Sequence, residues 1–125
     1  MPKPPTPRPT FVVRWLSDAE TTPHEVLAHV ASIHDRSDLD EGDLAERVLA
    51  SRAYRRAEVA VAHLDPYAWA IDDALVEVYA ARRDGGEVFP DIVLAADGTF
   101  VDGAHRAAAA LALGEVSVGA MVAVR

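Results

Sequence analysis

The chain has 125 residues, half of them apolar, no cysteine and a formal net charge of −8. That length suits one compact domain with a real core, and the missing thiols exclude disulfides and thiolate chemistry. Residues 58–125 hold eleven acidic against four basic side chains, and residues 1–57 nine against eight, a balance that argues against strong unaided binding to DNA phosphates.

No apolar run approaches the roughly 18–20 residues needed to span a bilayer. The opening nine residues contain five prolines and no apolar core, so no secretory signal is read there and a cytoplasmic protein without membrane contact is expected. Residues 1–10 read as a disordered Pro-rich tail.

Residues 11–57 read as a mostly helical N-terminal extension. Phe11 to Leu16 is β-prone and suits an edge strand. Thr22-Pro23-His24-Glu25 offers an N-cap, a proline at the first helical position and a glutamate three residues on. That capping-box spacing predicts an amphipathic helix over 23–34, with Val26, Leu27, Val30 and Ile33 inward. A charged loop follows to Gly42. A second helix is expected over 43–56, with Leu44, Val48 and Leu49 as its apolar stripe. Arg47, Arg52, Arg55 and Arg56 form the basic concentration; a solvated face is the default, contact with nucleic acid or an acidic protein partner the alternative.

Residues 58–125 read as an α+β domain with a small sheet and flanking helices. A strand is expected at 58–63, closed by Leu64-Asp65-Pro66, then a helix over 72–83 stopped by Asp84-Gly85-Gly86. Strands 89–95 and 99–102 flank an Asp97-Gly98 turn. Helix 104–113 is almost all alanine and leucine beyond Arg106, so most of its circumference must be buried. A last strand spans 116–124. The order is β–α–β–β–α–β, and periodicity leaves open whether the sheet is parallel or mixed.

The richest segment is Asp102-Gly103-Ala104-His105-Arg106 at the strand–helix junction. It places a glycine, unpaired backbone N–H groups, a histidine and an arginine where anions bind most readily. Facing outward, the Arg106 fork would hold two phosphate oxygens beside the N–H groups of Gly103 and Ala104; the alternative is a pair with Asp102 or Glu115. His105 would donate to a phosphate or move a proton, or else bond a backbone carbonyl. Asp102 would hold Mg²⁺ or act as an acid–base group, or else cap the helix. An inward guanidinium, or a pocket filled by the chain's own carboxylate, would remove the phosphate-transfer reading.

Asp72, Asp73 and Glu77 read first as complements to a helix dipole, and Arg82 and Arg83 as the same at the other end. His24, His29 and His34 share no helical face, so no histidine metal site is expected. Trp15 and Trp69 are expected in the core.

The strand ending in Leu64-Asp65-Pro66, the helix ending in Gly85-Gly86, Phe89-Pro90-Asp91-Ile92-Val93, Asp97-Gly98, Val101 to Arg106, Ala109-Ala110 and Leu113-Gly114 together resemble the ParB N-terminal/sulfiredoxin superfamily, over residues 58–124. The resemblance implies a nucleoside triphosphate, ATP or CTP, with Mg²⁺, held at Gly103, Ala104, His105 and Arg106. Members include CTP-hydrolysing partition proteins, ATP-using sulfiredoxins, small-molecule kinases and nucleases. It therefore implies NTP binding with hydrolysis or phosphate transfer at Asp102 and His105; a nuclease and a catalytically silent interaction module are the alternatives, the latter with residues 1–57 facing a protein partner. Ala104 stands where sulfiredoxins need a cysteine, which rules out sulfinic-acid repair. The chain given ends one strand past the motif, against a centromere-binding role, and Asp65 to Trp69 lacks the basic residue that several members carry there.

Overall fold

A computed structural model of the chain describes residues 13–33, 44–64 and 71–124. The Pro-rich tail, His34, Asp65-Pro66 and Trp69 lie outside the described residues. In chain order come β1 (Val13–Thr21), α1 (Pro23–Ile33), α2 (Leu44–Leu49), β2 (Ala53–Ala60), a 3₁₀ turn (Val61–His63), α3 (Asp73–Asp84), β3 (Ile92–Leu94), β4 (Phe100–Asp102), α4 (Ala104–Ala112) and β5 (Ser117–Val124). The class is α+β.

The five strands form one sheet in the order β1-β2-β5-β3-β4. β2 and β5 pair antiparallel from Ala53↔Val124 to Ala60↔Ser117. β3 runs parallel to β5, with Ile92 opposite Ala120, and antiparallel to β4. The sheet is therefore mixed, which settles what periodicity left open. β1 pairs antiparallel with β2, but its ladder jumps from Trp15↔Ala57 to Glu20↔Arg55. Leu16 to Ala19 thus bulge out opposite Arg56 alone.

Alternation along the strands divides the core between two faces. Ala57, Val59, Ile92, Leu94, Ala120 and Val122 meet Ala107 of α4. Tyr54, Val93, Val101 and Ala123 meet Val26 and Val30 of α1 and Val48 of α2. α3 packs outside α4, with Val76 against Ala108 and Ala109. The alanine run thereby serves two contacts at once: Ala107 lets α4 lie close on the sheet, and its next two neighbours let α3 lie close on α4. The Thr22–Glu25 capping box forms in both directions: the Glu25 N–H donates to Thr22 Oγ1 at 3.2 Å and the Thr22 N–H to Glu25 Oε2 at 3.0 Å.

Three expectations need correction. The helix expected over 43–56 stops at Leu49, and Ala53 to Arg56 open β2. Ala53, Arg55, Arg56 and Glu58 carry little intrinsic strand preference; β1 on one side and β5 on the other make this segment a strand. The strand expected at 58–63 accordingly starts earlier and ends in the 3₁₀ turn. The boundary drawn at 57/58 falls inside β2, and β1 belongs to the same sheet as the motif strands, so residues 13–57 are no separate helical unit. Finally, Trp15 is no core residue. It is 43% exposed and lies under the Arg55 guanidinium, 4.4 Å from its ring centre.

Candidate functional site

The junction between β4 and α4 is built around Gly103. Its φ of +103° suits glycine, because a side chain there meets its own backbone. Space demands glycine as well: an added Cβ would sit 2.5 Å from Ile92 Cγ2 and 2.9 Å from Arg106 Nη2. The chain thus turns tightly off the sheet and enters α4 with no side-chain acceptor at its N-cap. The first-turn N–H groups of α4 have no partner within the helix and none from the cap side chain.

α3 lies parallel to α4. Their starts meet where the Asp72 N–H donates to His105 Nε2 at 3.1 Å, and their ends meet where Arg83 pairs with Glu115 at 2.7 Å. Two positive helix ends therefore sit together. The α3 end is closed by its own side chain, since Asp72 accepts the Ala74 N–H at 3.0 Å. At the α4 end a cleft of about 190 Å³ opens, lined by Asp102, Gly103, Ala104 and His105, with Arg47 reaching in from α2. Arg47 also donates to the Phe100 carbonyl of β4, which ties α2 to the outermost strand. No local sequence signal marked Arg47 for this place, because 53 residues separate it from Phe100.

Arg106 does not face outward. It is 3% exposed. Nη1 donates to the Pro90 carbonyl at 2.7 Å and the Asp91 carbonyl at 3.3 Å, and Nη2 to Asp102 Oδ2 at 2.9 Å. Burial pulls its pKa below the ordinary arginine value, while the Asp102 charge, then those of Tyr79 and Asp91, act the other way. The expected phosphate fork is thus a structural tie that fastens the start of β3 to the start of α4. The i, i+4 spacing puts Asp102 within reach, and the Pro90 and Asp91 carbonyls just before β3 take Nη1.

Asp102 is corrected with it. The Asp102 side chain is 9% exposed and faces the Arg106 guanidinium. The carboxylate is engaged by that guanidinium through Oδ2 at 2.9 Å. Among the described residues no group of three His, Asp or Glu side chains converges as a metal would require. His105 does bond backbone, but as acceptor of an N–H and not as donor to a carbonyl. Gly103, Ala104 and His105 remain together at the cleft as the motif reading placed them.

The other candidates are accounted for by their neighbours. Arg82 pairs with Glu87, whose carboxyl this bond and charge hold below the usual range. Arg55 pairs with Asp18, and Arg56 with Asp91 at 3.0 Å, so the expected basic face is dispersed over both faces of β2. His29 Nε2 lies 3.0 Å from the Asp91 carbonyl. A slightly larger hollow, about 210 Å³, lies on the far side of Arg106 between the starts of β3 and β5. Its arginines are engaged by carboxylates, Arg83 by Glu115 and Arg106 by Asp102. Comparison with family models, curated proteins and solved structures gives no match to this chain.

Proposed function

We propose that this chain binds the phosphate end of a nucleotide at the N-terminus of α4, and that it binds without transferring phosphate. The observation that carries this reading is the uncapped, left-handed start of α4 at Gly103, inside a cleft shared by Arg47 and His105. Backbone N–H groups and the helix dipole favour an oxyanion there. Arg47 adds a planar donor on the opposite wall. ATP or CTP follows from the resemblance of residues 58–124 to the ParB N-terminal/sulfiredoxin superfamily.

The residues suit the phosphate and not a protein-held metal. Asp102, the one carboxylate lining the cleft among the described residues, already neutralises a guanidinium at 2.9 Å, and a second cation beside it would be repelled. Mg²⁺ belongs to this reading only as the counter-ion that the phosphate chain brings. With Asp102 and Arg106 committed to each other, the described residues of the motif offer neither the phosphate clamp nor the acid–base carboxylate that transfer would use. Gly103 and Arg106 act instead on the shape of the cleft, one by its backbone angle and one by its three bonds.

A thermal-shift panel of ATP, CTP and their Mg²⁺ complexes at millimolar concentration tests the proposal. Near saturation the melting temperature rises by about 3–10 °C, the rise is lost in Arg47→Ala, and no inorganic phosphate is released. A flat response to every nucleotide overturns the reading in favour of a module that works without one. Phosphate release abolished by Asp102→Asn in a folded protein overturns the non-catalytic half.

A further inference from the structure

The His105 ring lines the cleft and also reaches across to the neighbouring helix. Its Nε2 accepts the Asp72 N–H at 3.1 Å. An imidazole that accepts through Nε2 is neutral and carries its proton on Nδ1. Asp72 is the N-cap of α3, so this single bond ties the start of α3 to the first turn of α4.

We propose that His105 is a proton-operated latch between α3 and α4. Neutral, it holds the Asp72 N–H. Protonated, it has no lone pair to offer; the bond is lost, the start of α3 is released, and a positive charge is left at the mouth of the α4 cleft. Among the described residues, the charged groups on the elements around it are Asp72 and Asp73 on α3, Asp102 and Arg106 at the strand–helix turn, and Arg47 from α2. Asp102 and Arg106 neutralise each other, and the Asp72 carboxylate is occupied by the Ala74 N–H. The new imidazolium therefore turns to an anion in the cleft. By linkage, an anion that prefers the charged ring also favours the open latch, and acid tightens its binding. This last step rests on the phosphate-binding reading; the latch itself does not.

Nitrogen-15 NMR of the full chain tests both halves. At about pH 8 the His105 ring shows a protonated Nδ1 and a bare Nε2, and the Asp72 amide exchanges slowly. As pH falls through the ring's titration, the Asp72 amide shift follows the ring. Its exchange, corrected for the intrinsic pH dependence, accelerates about five- to tenfold. His105→Gln, whose Oε1 can take the same N–H without titrating, keeps the amide slow at every pH, and His105→Ala leaves it fast at every pH. A protonated Nε2 at high pH, or an Asp72 amide indifferent to the ring's charge, overturns the latch. Sulfate, whose charge is constant over this range, then serves as the anion probe: it binds more tightly at low pH in the wild type and not in His105→Gln. If the amide responds but sulfate does not perturb the α4 first turn, the latch stands and the phosphate reading falls.

Discussion

Helices α3 and α4 run side by side and begin within hydrogen-bond reach of each other, yet their first turns are completed in opposite ways. α3 closes its own end: Asp72 caps it, and Asp73 adds a second carboxylate in the first turn. α4 has no acid in its first turn and no cap side chain. The carboxylate immediately before it, Asp102, is drawn away by Arg106. Of two helix starts side by side, one carries a cap side chain and a first-turn acid and the other carries neither. The difference teaches that, on the proposed reading, the Asp-Gly-x-His-Arg segment would meet an anion with backbone N–H groups and not with a cap of its own. Arg106 engages the Asp102 carboxylate, and the start of α4 lies in one cleft with Arg47 and His105.

The largest expected effect breaks that comparison at its root. Arg106→Ala takes the ion-pair partner from the nearly buried Asp102 carboxylate and removes a donor from the Pro90 and Asp91 carbonyls. It should cost about 3–5 kcal/mol in urea or thermal unfolding. The paired replacement Arg106→Met with Asp102→Leu should cost distinctly less than the sum of the single changes, since no buried charge remains alone. An Arg106→Ala variant of unchanged stability that has lost nucleotide binding would mean that the guanidinium serves the ligand after all.

Next in size is Gly103→Ala. A left-handed φ costs an alanine about 1–2 kcal/mol, and forcing a Cβ against Ile92 and Arg106 adds about 1–3 kcal/mol. Equilibrium unfolding should show a loss of about 2–4 kcal/mol. A loss below about 1 kcal/mol would place the backbone there in an ordinary conformation.

The smallest effect sharpens the comparison at the other helix. Asp72→Ala removes the α3 cap and should cost about 1 kcal/mol. It also removes a carboxylate from beside the cleft, so sulfate affinity should rise modestly at low salt, and the gain should fade as salt screens it. Asp72→Asn should keep most of the stability, because the amide oxygen still accepts the Ala74 N–H. Weaker sulfate binding in Asp72→Ala would show that the two helix ends do not share a field.

Legibility in the sequence follows the distance over which each feature is determined. The Thr22–Glu25 box, the Asp97-Gly98 turn and the start of α4 at Gly103 depend on a few adjacent residues, and each was readable from spacing. So was the β–α–β–β–α–β order of the second half. The first part of β2 was not, because Ala-Tyr-Arg-Arg-Ala-Glu is as good a helix as a strand until β5, some sixty residues later, pairs with it. The same limit applies to the site. The i, i+4 relation of Asp102 and Arg106 is local, but the direction of the guanidinium is decided by carbonyls 15 and 16 residues upstream. Arg47 enters only once α2 is packed against β4. The residues of the junction were therefore legible, and their division of labour was not.

β1 closes one side of the sheet, and a nine-residue border strand would ordinarily invite a second molecule to extend the ladder. The Leu16–Ala19 bulge interrupts its straight run, and Arg55 fastens the displaced loop through the Ser17 carbonyl and the Asp18 carboxylate, both at 3.0 Å. A foreign strand laid along that rim meets no evenly spaced row of donors and acceptors longer than the few residues on either side. The kink thus acts as a guard against polymerisation, kept in place by one arginine well away from the cleft.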